Sequence, residues 1–232
     1  MKHSGRARRA GLKLIIASLI GVLAVLALGI FAALVGTALV VAIPILLGLW
    51  MLFALFTLYF FRDPTPVVPP GPNLVVAPAY GKVDVIETMT EPVFMEGECQ
   101  RISMFLSVAD VHVQYAPAGG KVTLVKYTQG EFVNAIRTES ALHNENVLIG
   151  FESNEPRGVK IGLRLIAGVV TRRIVPYVQE GDEVARGERV GLIQFGSRAD
   201  IYLPTNARIK IKLGDKLAAG ASVIATFDEV PT

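Results

Sequence analysis

The distribution of apolar residues divides the chain into two very different parts. Residues 14–61 contain no Lys, Arg, Asp or Glu, and nearly every position is apolar. A helix crosses a bilayer core of roughly 30 Å with about 20 apolar residues, so this stretch is long enough for two crossings. We predict a transmembrane hairpin with helices over residues 14–35 and 38–61, joined at Gly36 and Thr37. A cleaved signal peptide is the alternative, but the stretch exceeds twice the length of a signal core.

After residue 73 the pattern changes to short runs of β-type residues separated by Gly and Pro. The run ARIKIKL, residues 207–213, alternates apolar and polar positions with the period of a half-buried strand. Residues 62–73 (RDPTPVVPPGPN) are rich in proline, which cannot continue a helix and favours extended backbone. We predict a stiff linker over 62–73, followed by a compact, mainly-β domain of sandwich or barrel type over 74–232.

An internal repeat lies within this domain. The segment GDEVARGERV, residues 181–190, recurs as GDKLAAGASV, residues 214–223. Gly-Asp and the later Gly provide turns around short strands. This pattern is typical of lipoyl-like sandwiches, also called barrel-sandwich hybrids. Carrier domains of that type need a modifiable Lys between the repeats, and FGSRAD, residues 195–200, stands there instead.

The charge is also uneven. Five of the 23 basic residues precede the apolar stretch, and without them 18 basic residues stand against 20 acidic ones. The basic head is therefore a topology signal rather than a nucleic-acid-binding surface, and no nucleic-acid partner is expected. Lys and Arg beside a membrane span favour the cytoplasmic side. With two crossings, the domain after Arg62 is predicted to lie on the cytoplasmic face of the cell membrane.

Cysteine and histidine are scarce. The single cysteine, Cys99, cannot form an internal disulfide, which fits a reducing compartment. A multi-histidine metal centre would need nearly all of the three histidines. We therefore expect no metal site.

Several motifs occur together and in a fixed order. The longest is IAGVVTRRIVPYVQEGDEVARGERVGLIQFGSRADIYLP, residues 166–204. The shorter ones are FFRDP at 60–64, APAYGKV at 77–83, MFLSVADVHVQYAPAGGKV at 104–122 and NEN at 144–146. Together they resemble the short phosphatidylserine decarboxylases, and the archaetidylserine decarboxylases share them. The resemblance extends from Phe60 nearly to the end of the chain.

That resemblance implies a self-cleaving carboxy-lyase whose cofactor is made from its own chain. In this family the serine of Gly-Ser attacks the preceding carbonyl, and elimination from the resulting ester leaves a pyruvoyl group. Matched residue by residue, cleavage falls between Gly196 and Ser197, and Ser197 becomes the pyruvoyl group. The large chain, 1–196, and the small chain, 197–232, are expected to stay together. The substrate would be an anionic serine phospholipid in the membrane, and homo-oligomers remain open.

The same match suggests further site residues. His112, in DVHVQ, is the expected acid or base, because imidazole titrates near neutral pH. Arg172 and Arg173 match an arginine pair in the family and are candidates for binding phosphate or carboxylate. Asn144 and Glu145 are candidates for ordering the site by hydrogen bonds.

One position departs from the family pattern. Relatives usually read S-P-A-D-G, whereas residues 77–81 here read APAYG, so that Tyr80 replaces the aspartate expected to orient the histidine. Tyr80 leaves open an inactive family member retained as a membrane scaffold. The lipoyl-like repeat leaves open a membrane adaptor.

Overall fold

The computed structural model of the protein describes residues 6–130, 144–168, 173–193 and 197–228. The chain divides into two compact units, Met1–Thr57 and Leu58–Thr232. A single long helix provides the first unit and ends within the second. The second unit holds all the β-strands of the described residues.

The helix α1 runs from Arg6 to Phe60. Its segment Ile16–Phe60 is long and apolar enough to cross a membrane, and the most apolar window is not buried by other parts of the protein. Large apolar side chains are exposed along its length, as expected for a helix whose solvent is lipid. Its threonine hydroxyls are satisfied within the helix: Thr37 Oγ1 donates to the Ala33 carbonyl at 2.9 Å and Thr57 Oγ1 to the Phe53 carbonyl at 2.8 Å.

The structure differs from the predicted two-helix hairpin, because α1 continues through Gly36 and Thr37. A glycine inside a helix costs only about 1 kcal/mol relative to alanine. The one polar group of Thr37 finds its partner within the helix. Neither residue therefore has to end the helix, and even Pro44 is contained in it.

The second unit confirms the mainly-β prediction. Its strands are β1 Leu74–Val76, β2 Gly81–Glu91, β3 Gly97–Leu106, β4 Val113–Tyr115, β5 Gly120–Thr128, β6 Asn146–Asn154, β7 Arg157–Ala167, β8 Ile174–Pro176, β9 Glu183–Val184, β10 Arg189–Ile193, β11 Ser197–Pro204, β12 Arg208–Ile209, β13 Lys216–Leu217 and β14 Val223–Thr226.

The strands form one large sheet and two small ones, and every described pairing is antiparallel. The eight-stranded sheet has the order β13-β2-β3-β11-β7-β6-β5-β9, and the small sheets have the orders β1-β14-β12 and β4-β10-β8. Leu217 on one edge strand of the large sheet and Val184 on the other belong to the same apolar cluster. The large sheet therefore curls around a single core.

The internal repeat corresponds to a structural repeat at the two edges of this sheet. In the first copy, Val184 pairs with Gly120, and in the second, Leu217 pairs with Gly81. Both glycines lie so close to a neighbouring backbone carbonyl that a methyl group would collide with it. They belong to a second pair of similar segments, APAGGKV at 116–122 and APAYGKV at 77–83.

The proline-rich segment 62–73 packs along the β-domain instead of standing away from it. Asp63 forms an ion pair with Arg189 at 2.7 Å, and the Tyr115 hydroxyl donates to the Pro64 carbonyl at 2.9 Å. Arg186 Nη2 donates to the carbonyl of Pro69 at 2.9 Å. These contacts hold the start of the domain against the repeat that contains Arg186 and Arg189.

Candidate active site

Ser197 begins β11, a central strand of the large sheet. It pairs with Leu106 on one side and Ala167 on the other, which are the last residues of β3 and β7. The residue is fully buried, and its Oγ has no hydrogen-bond partner among the described residues. A buried hydroxyl without a partner is costly in a folded protein. Such a group is often retained because it takes part in chemistry.

The segment before Ser197 joins β10 to β11. Gly196, the other residue of the predicted cleavage site, lies outside the described residues. The preceding strand ends at Ile193, whose N–H donates to the His112 carbonyl at 3.1 Å. Consecutive Cα atoms are about 3.8 Å apart, so Ile193 and Ser197 are at most about 15 Å from each other. The strand pairing thus brings His112 into the neighbourhood of the predicted cleavage site.

His112 is buried, with 1% of its surface exposed. Its Nδ1 lies 2.9 Å from the backbone oxygen of Asp110. Because a carbonyl oxygen only accepts hydrogen bonds, Nδ1 carries the proton and Nε2 is the basic nitrogen of the neutral ring. The aromatic ring of Phe60 packs against the imidazole with a centroid distance of 4.2 Å.

The electrostatic environment keeps this imidazole neutral. Burial lowers the pKa of His112 to about 4, and the Arg62 charge acts in the same direction, while Asp110 opposes both through its hydrogen bond and its charge. The ring is therefore uncharged at pH 7. In this state it can accept a proton, and it can donate one only after it has accepted one.

Asn144 and Glu145 immediately precede β6 and bind the end of β7, the strand beside β11. Asn144 Nδ2 donates to the Ala167 carbonyl at 2.7 Å, and the Ala167 N–H donates to the Glu145 carbonyl at 2.9 Å. Ala167 is the residue that pairs with Ser197. The structure thus places both predicted residues one strand away from the serine.

The arginine pair is described only in part. Arg172 lies outside the described residues. Arg173 is exposed and immediately precedes Ile174, which pairs with Ile193 at the end of β10. Arg173 is therefore at the same end of the small sheet as the segment that leads to Ser197.

Tyr80 occupies the position where relatives usually have aspartate. It packs against an apolar cluster that includes Val111 and Val113, the two sequence neighbours of His112. The acceptor for the imidazole N–H is the Asp110 carbonyl, while the Asp110 carboxylate accepts from Ser107 N and Oγ at 2.8 and 2.7 Å. A backbone group thus orients His112 without a carboxylate at position 80.

A cavity of about 350 Å³ opens beside the turn that precedes His112. Its lining residues are Gly81, Lys82, Phe105, Ser107, Asp110, Lys216 and Leu217. Lys82 and Lys216 are exposed and directly opposite each other in the β2–β13 pairing. Like charges in this arrangement destabilise a sheet. The equivalent pair in the other copy of the repeat is Lys121 with Glu183, which are opposite charges.

Three features of this region were not predicted from the sequence. Arg198 is buried and forms a two-pronged ion pair with Asp84, and Phe60 covers His112. Both contacts join residues that are far apart in the chain, so no local pattern predicts them. The third feature, the lysine pair, did leave a signal in the sequence. When the two GD segments are aligned, Lys216 takes the position of Glu183, and when APAYGKV is aligned with APAGGKV, Lys82 takes the position of Lys121.

Comparisons with known proteins agree with the motifs. The family model for phosphatidylserine decarboxylase matches residues 53–225. A protein from Desulfotalea psychrophila is 44% identical over 180 residues, which cover 78% of this chain and 83% of that protein. One from Cupriavidus pinatubonensis is 40% identical, covering 79% and 83%, and one from Gluconobacter oxydans is 43% identical, covering 75% and 77%. All three are named phosphatidylserine decarboxylase proenzyme. The chain therefore belongs to the phosphatidylserine decarboxylase family.

Proposed function

We propose that this protein is a self-processing, pyruvoyl-dependent carboxy-lyase that converts the serine headgroup of a phospholipid to ethanolamine and releases CO2. The headgroup chemistry is the same for phosphatidylserine and archaetidylserine. The observation that carries the proposal is the buried hydroxyl of Ser197 at the start of a central strand, which has no hydrogen-bond partner in the described part of the chain. The neutral His112, just before β4 and hydrogen-bonded to the end of β10, supports it.

Self-processing requires a nucleophile and a base. In the proposed reaction, His112 Nε2 takes the proton of the Ser197 hydroxyl, and Oγ attacks the Gly196 carbonyl carbon. The peptide C–N bond breaks as the ester forms, and the freed nitrogen takes up a proton. Loss of the Ser197 α-proton then expels the Gly196 carboxylate. Hydrolysis of the resulting enamine releases ammonia and leaves a pyruvoyl group at residue 197.

The surroundings of residue 197 fit such a group, because the serine oxygen lies buried and none of the described residues forms a hydrogen bond with it. A pyruvoyl group supplies an electron-accepting carbonyl, which is the chemistry that loss of CO2 from an amino-acid headgroup needs. Asn144 would order this region through its bond to Ala167. Arg172 and Arg173 are proposed to bind headgroup anions, and His112 to return a proton to the decarboxylated carbon.

The proposed small chain, 197–232, is deeply integrated in the fold. Its strand β11 lies between β3 and β7 of the large chain, and β13 and β14 pair with β2 and β1. Cutting one bond before Ser197 leaves all these ladders in place, so the two chains would stay associated. The two-fold repeat at the sheet edges supports a relationship to lipoyl-like sandwiches.

The lysine pair is proposed to bind the phosphate of the lipid headgroup. Like charges opposite each other offer the sheet no benefit, but two ammonium groups at a 350 Å³ cavity suit an anion. The cavity also includes Asp110, whose carbonyl oxygen holds His112. A phosphate at this cavity would therefore lie beside the turn that carries the proposed base.

The membrane anchor is proposed to be a hairpin when it is in a bilayer. The apolar segment Ile16–Phe60 has 45 residues, which as one straight helix is about 68 Å long. The bilayer core is roughly 30 Å thick, so a straight helix would expose about half of this segment to water. A break near Gly36 and Thr37 would give two crossings, with both ends on the cytoplasmic face.

Replacing the proposed nucleophile tests the processing reaction. Ser197→Ala removes the attacking oxygen, so we expect one intact chain of about 25 kDa and no decarboxylation of a serine phospholipid. Denaturing electrophoresis and mass spectrometry of wild type and variant provide the measurement. Wild type should give a small chain that starts with a carbonyl-reactive pyruvoyl group. An uncleaved wild type would favour the inactive scaffold or adaptor, with Tyr80→Asp as the first variant to test for rescue.

Removing the imidazole tests the proposed base. His112→Gln keeps a polar side chain but cannot shuttle a proton at neutral pH, so we expect processing to slow by about 10²-fold or more. The fraction of cleaved chain against time after synthesis gives the rate. His143→Gln is a matched control with an expected rate close to wild type. A His112 variant that is processed at the wild-type rate excludes this role.

The lysine pair is tested by separating KM from kcat. Lys82→Ala and Lys216→Ala should each raise KM for a serine phospholipid about tenfold with little change in kcat, the scale of losing one charged hydrogen bond. Lys121→Ala, at the equivalent position of the other repeat, should leave KM unchanged. Equal KM changes for Lys82→Ala and Lys121→Ala would show a general charge effect and remove the proposed phosphate site.

The topology is tested with a membrane-impermeant maleimide on sealed, right-side-out vesicles. The single cysteine is buried, so Cys99→Ser provides a background without thiols. In that background Thr37→Cys should be labelled from outside, and Thr205→Cys, on the exposed surface of the domain, only after the vesicles are opened. Labelling of Thr205→Cys in sealed vesicles would place the domain outside and contradict the hairpin.

A further inference from the structure

Tyr59, at the end of α1, and Arg62, just after it, hold the turn that precedes His112. The Tyr59 hydroxyl donates to the Ala109 carbonyl at 3.2 Å, and Arg62 Nη2 donates to the same oxygen at 2.6 Å. Arg62 Nη1 also donates to the Tyr59 carbonyl at 2.8 Å, and its guanidinium lies 4.1 Å from the centre of the Tyr59 ring. Two side chains that brace each other thus converge on one backbone oxygen.

The turn itself is fixed from its other side. Asp110 N donates to the Ser107 carbonyl at 2.9 Å, and the Asp110 carboxylate accepts from Ser107. The next carbonyl after Ala109, that of Asp110, accepts the hydrogen bond of the His112 ring. A displacement of Ala109 would therefore move the acceptor that orients the imidazole.

Phe60 completes this arrangement. Phe60 and His112 each have only 1% of their surface exposed, and their rings are tilted by 32° at a centroid distance of 4.2 Å. Phe60 is much more buried than the residues that precede it in α1, because Leu58 is 74% exposed and Tyr59 is 52% exposed. Most large apolar side chains of α1 are exposed, whereas the Phe60 ring is buried against the candidate catalytic histidine.

We propose that Tyr59, Phe60 and Arg62 form a positioning clamp that fixes the His112 ring and shields it from water. The inference rests on the proposed function in so far as His112 acts in processing or decarboxylation. The three residues touch the histidine or its turn, so they act through His112 and are positioning residues. The clamp also ties the histidine to the end of the membrane-anchoring segment.

The clamp has a consequence for proton transfer. The ring of Phe60 excludes water, and the charge of Arg62 disfavours a second positive charge, so both oppose protonation of His112. Asp110 faces the ring from its own turn and favours protonation through its carbonyl and its charge. Burial is the largest of these effects, and it lowers the pKa of His112 to about 4. Loss of Phe60 should therefore raise that pKa toward the ordinary value near 6.5.

An NMR titration tests the clamp without using activity. The chain has only three histidines, so the imidazole signals of the full-length protein in detergent micelles can be followed individually. Ser197→Ala keeps the chain intact, and His112→Gln assigns the signal. We expect His112 to titrate near pH 4 in this background and well above pH 5 in Phe60→Ala. Arg62→Gln should raise the midpoint by less.

Leu58→Ala is the matched control, because it removes an apolar side chain from the same end of the helix without touching the histidine. Its His112 midpoint should stay near pH 4. If Phe60→Ala does not fold, Phe60→Leu keeps most of the apolar volume and should still raise the midpoint, and Phe60→Tyr should restore it. The same His112 midpoint in Phe60→Leu, Arg62→Gln and Leu58→Ala would overturn the clamp.

The rate of processing, measured in the chain that retains Ser197, provides a second test of the clamp. With a midpoint raised to about 6.5, the neutral fraction of His112 at pH 5.5 falls about tenfold, so Phe60→Ala should be processed about tenfold more slowly at pH 5.5 and nearly normally at pH 8. A merely structural defect would slow processing equally at both pH values, which also counts against the clamp. If the wild type is never processed, the proposed function fails, and the titration still decides the clamp.

Discussion

The insertion of β11 between β3 and β7 is the constraint on which the rest of the domain depends. The strand pairs with β3 along its whole length and with β7 from Ser197 to Tyr202, and it also contributes Ala199, Ile201 and Leu203 to the main core. Its first residue is therefore held at the ends of two neighbouring strands. The sheet therefore fixes the position of the peptide bond just before Ser197. Cleavage of that bond would leave every described strand pairing in place.

The ends of several strands meet around this point. β10 ends at Ile193, beside the His112 carbonyl and opposite Ile174, and β7 ends at Ala167, which Asn144 holds through a hydrogen bond. The end of a strand is held rigidly by the sheet, but its last backbone groups are not all used in strand pairing. Strand ends can therefore hold reactive side chains at fixed positions. The candidate site thus follows from the register of the sheets more than from any one loop.

The departure at Tyr80 has a physical resolution in this arrangement. A carboxylate at that position was expected to orient the imidazole, but the Asp110 carbonyl accepts the ring N–H. Tyr80 instead packs with Val111 and Val113 on either side of the histidine. The orientation of His112 therefore depends on the conformation of the 107–110 turn, which side chains from two separate parts of the chain hold in place.

The sequence alone determined the apolar segment, the mainly-β class, the repeat and the family, and it singled out Ser197 as a candidate, because these depend on local composition, on periodicity or on contiguous motifs. It did not determine that α1 is continuous through Gly36 and Thr37, since neither residue forces a helix to end or to continue. Only the tertiary structure decided that Phe60 covers His112, that Arg198 pairs with Asp84 and that Lys82 faces Lys216. Each of these contacts joins residues from different strands, or a helix end and the segment just before a strand. Their meeting is fixed by sheet order and register, which no local pattern encodes.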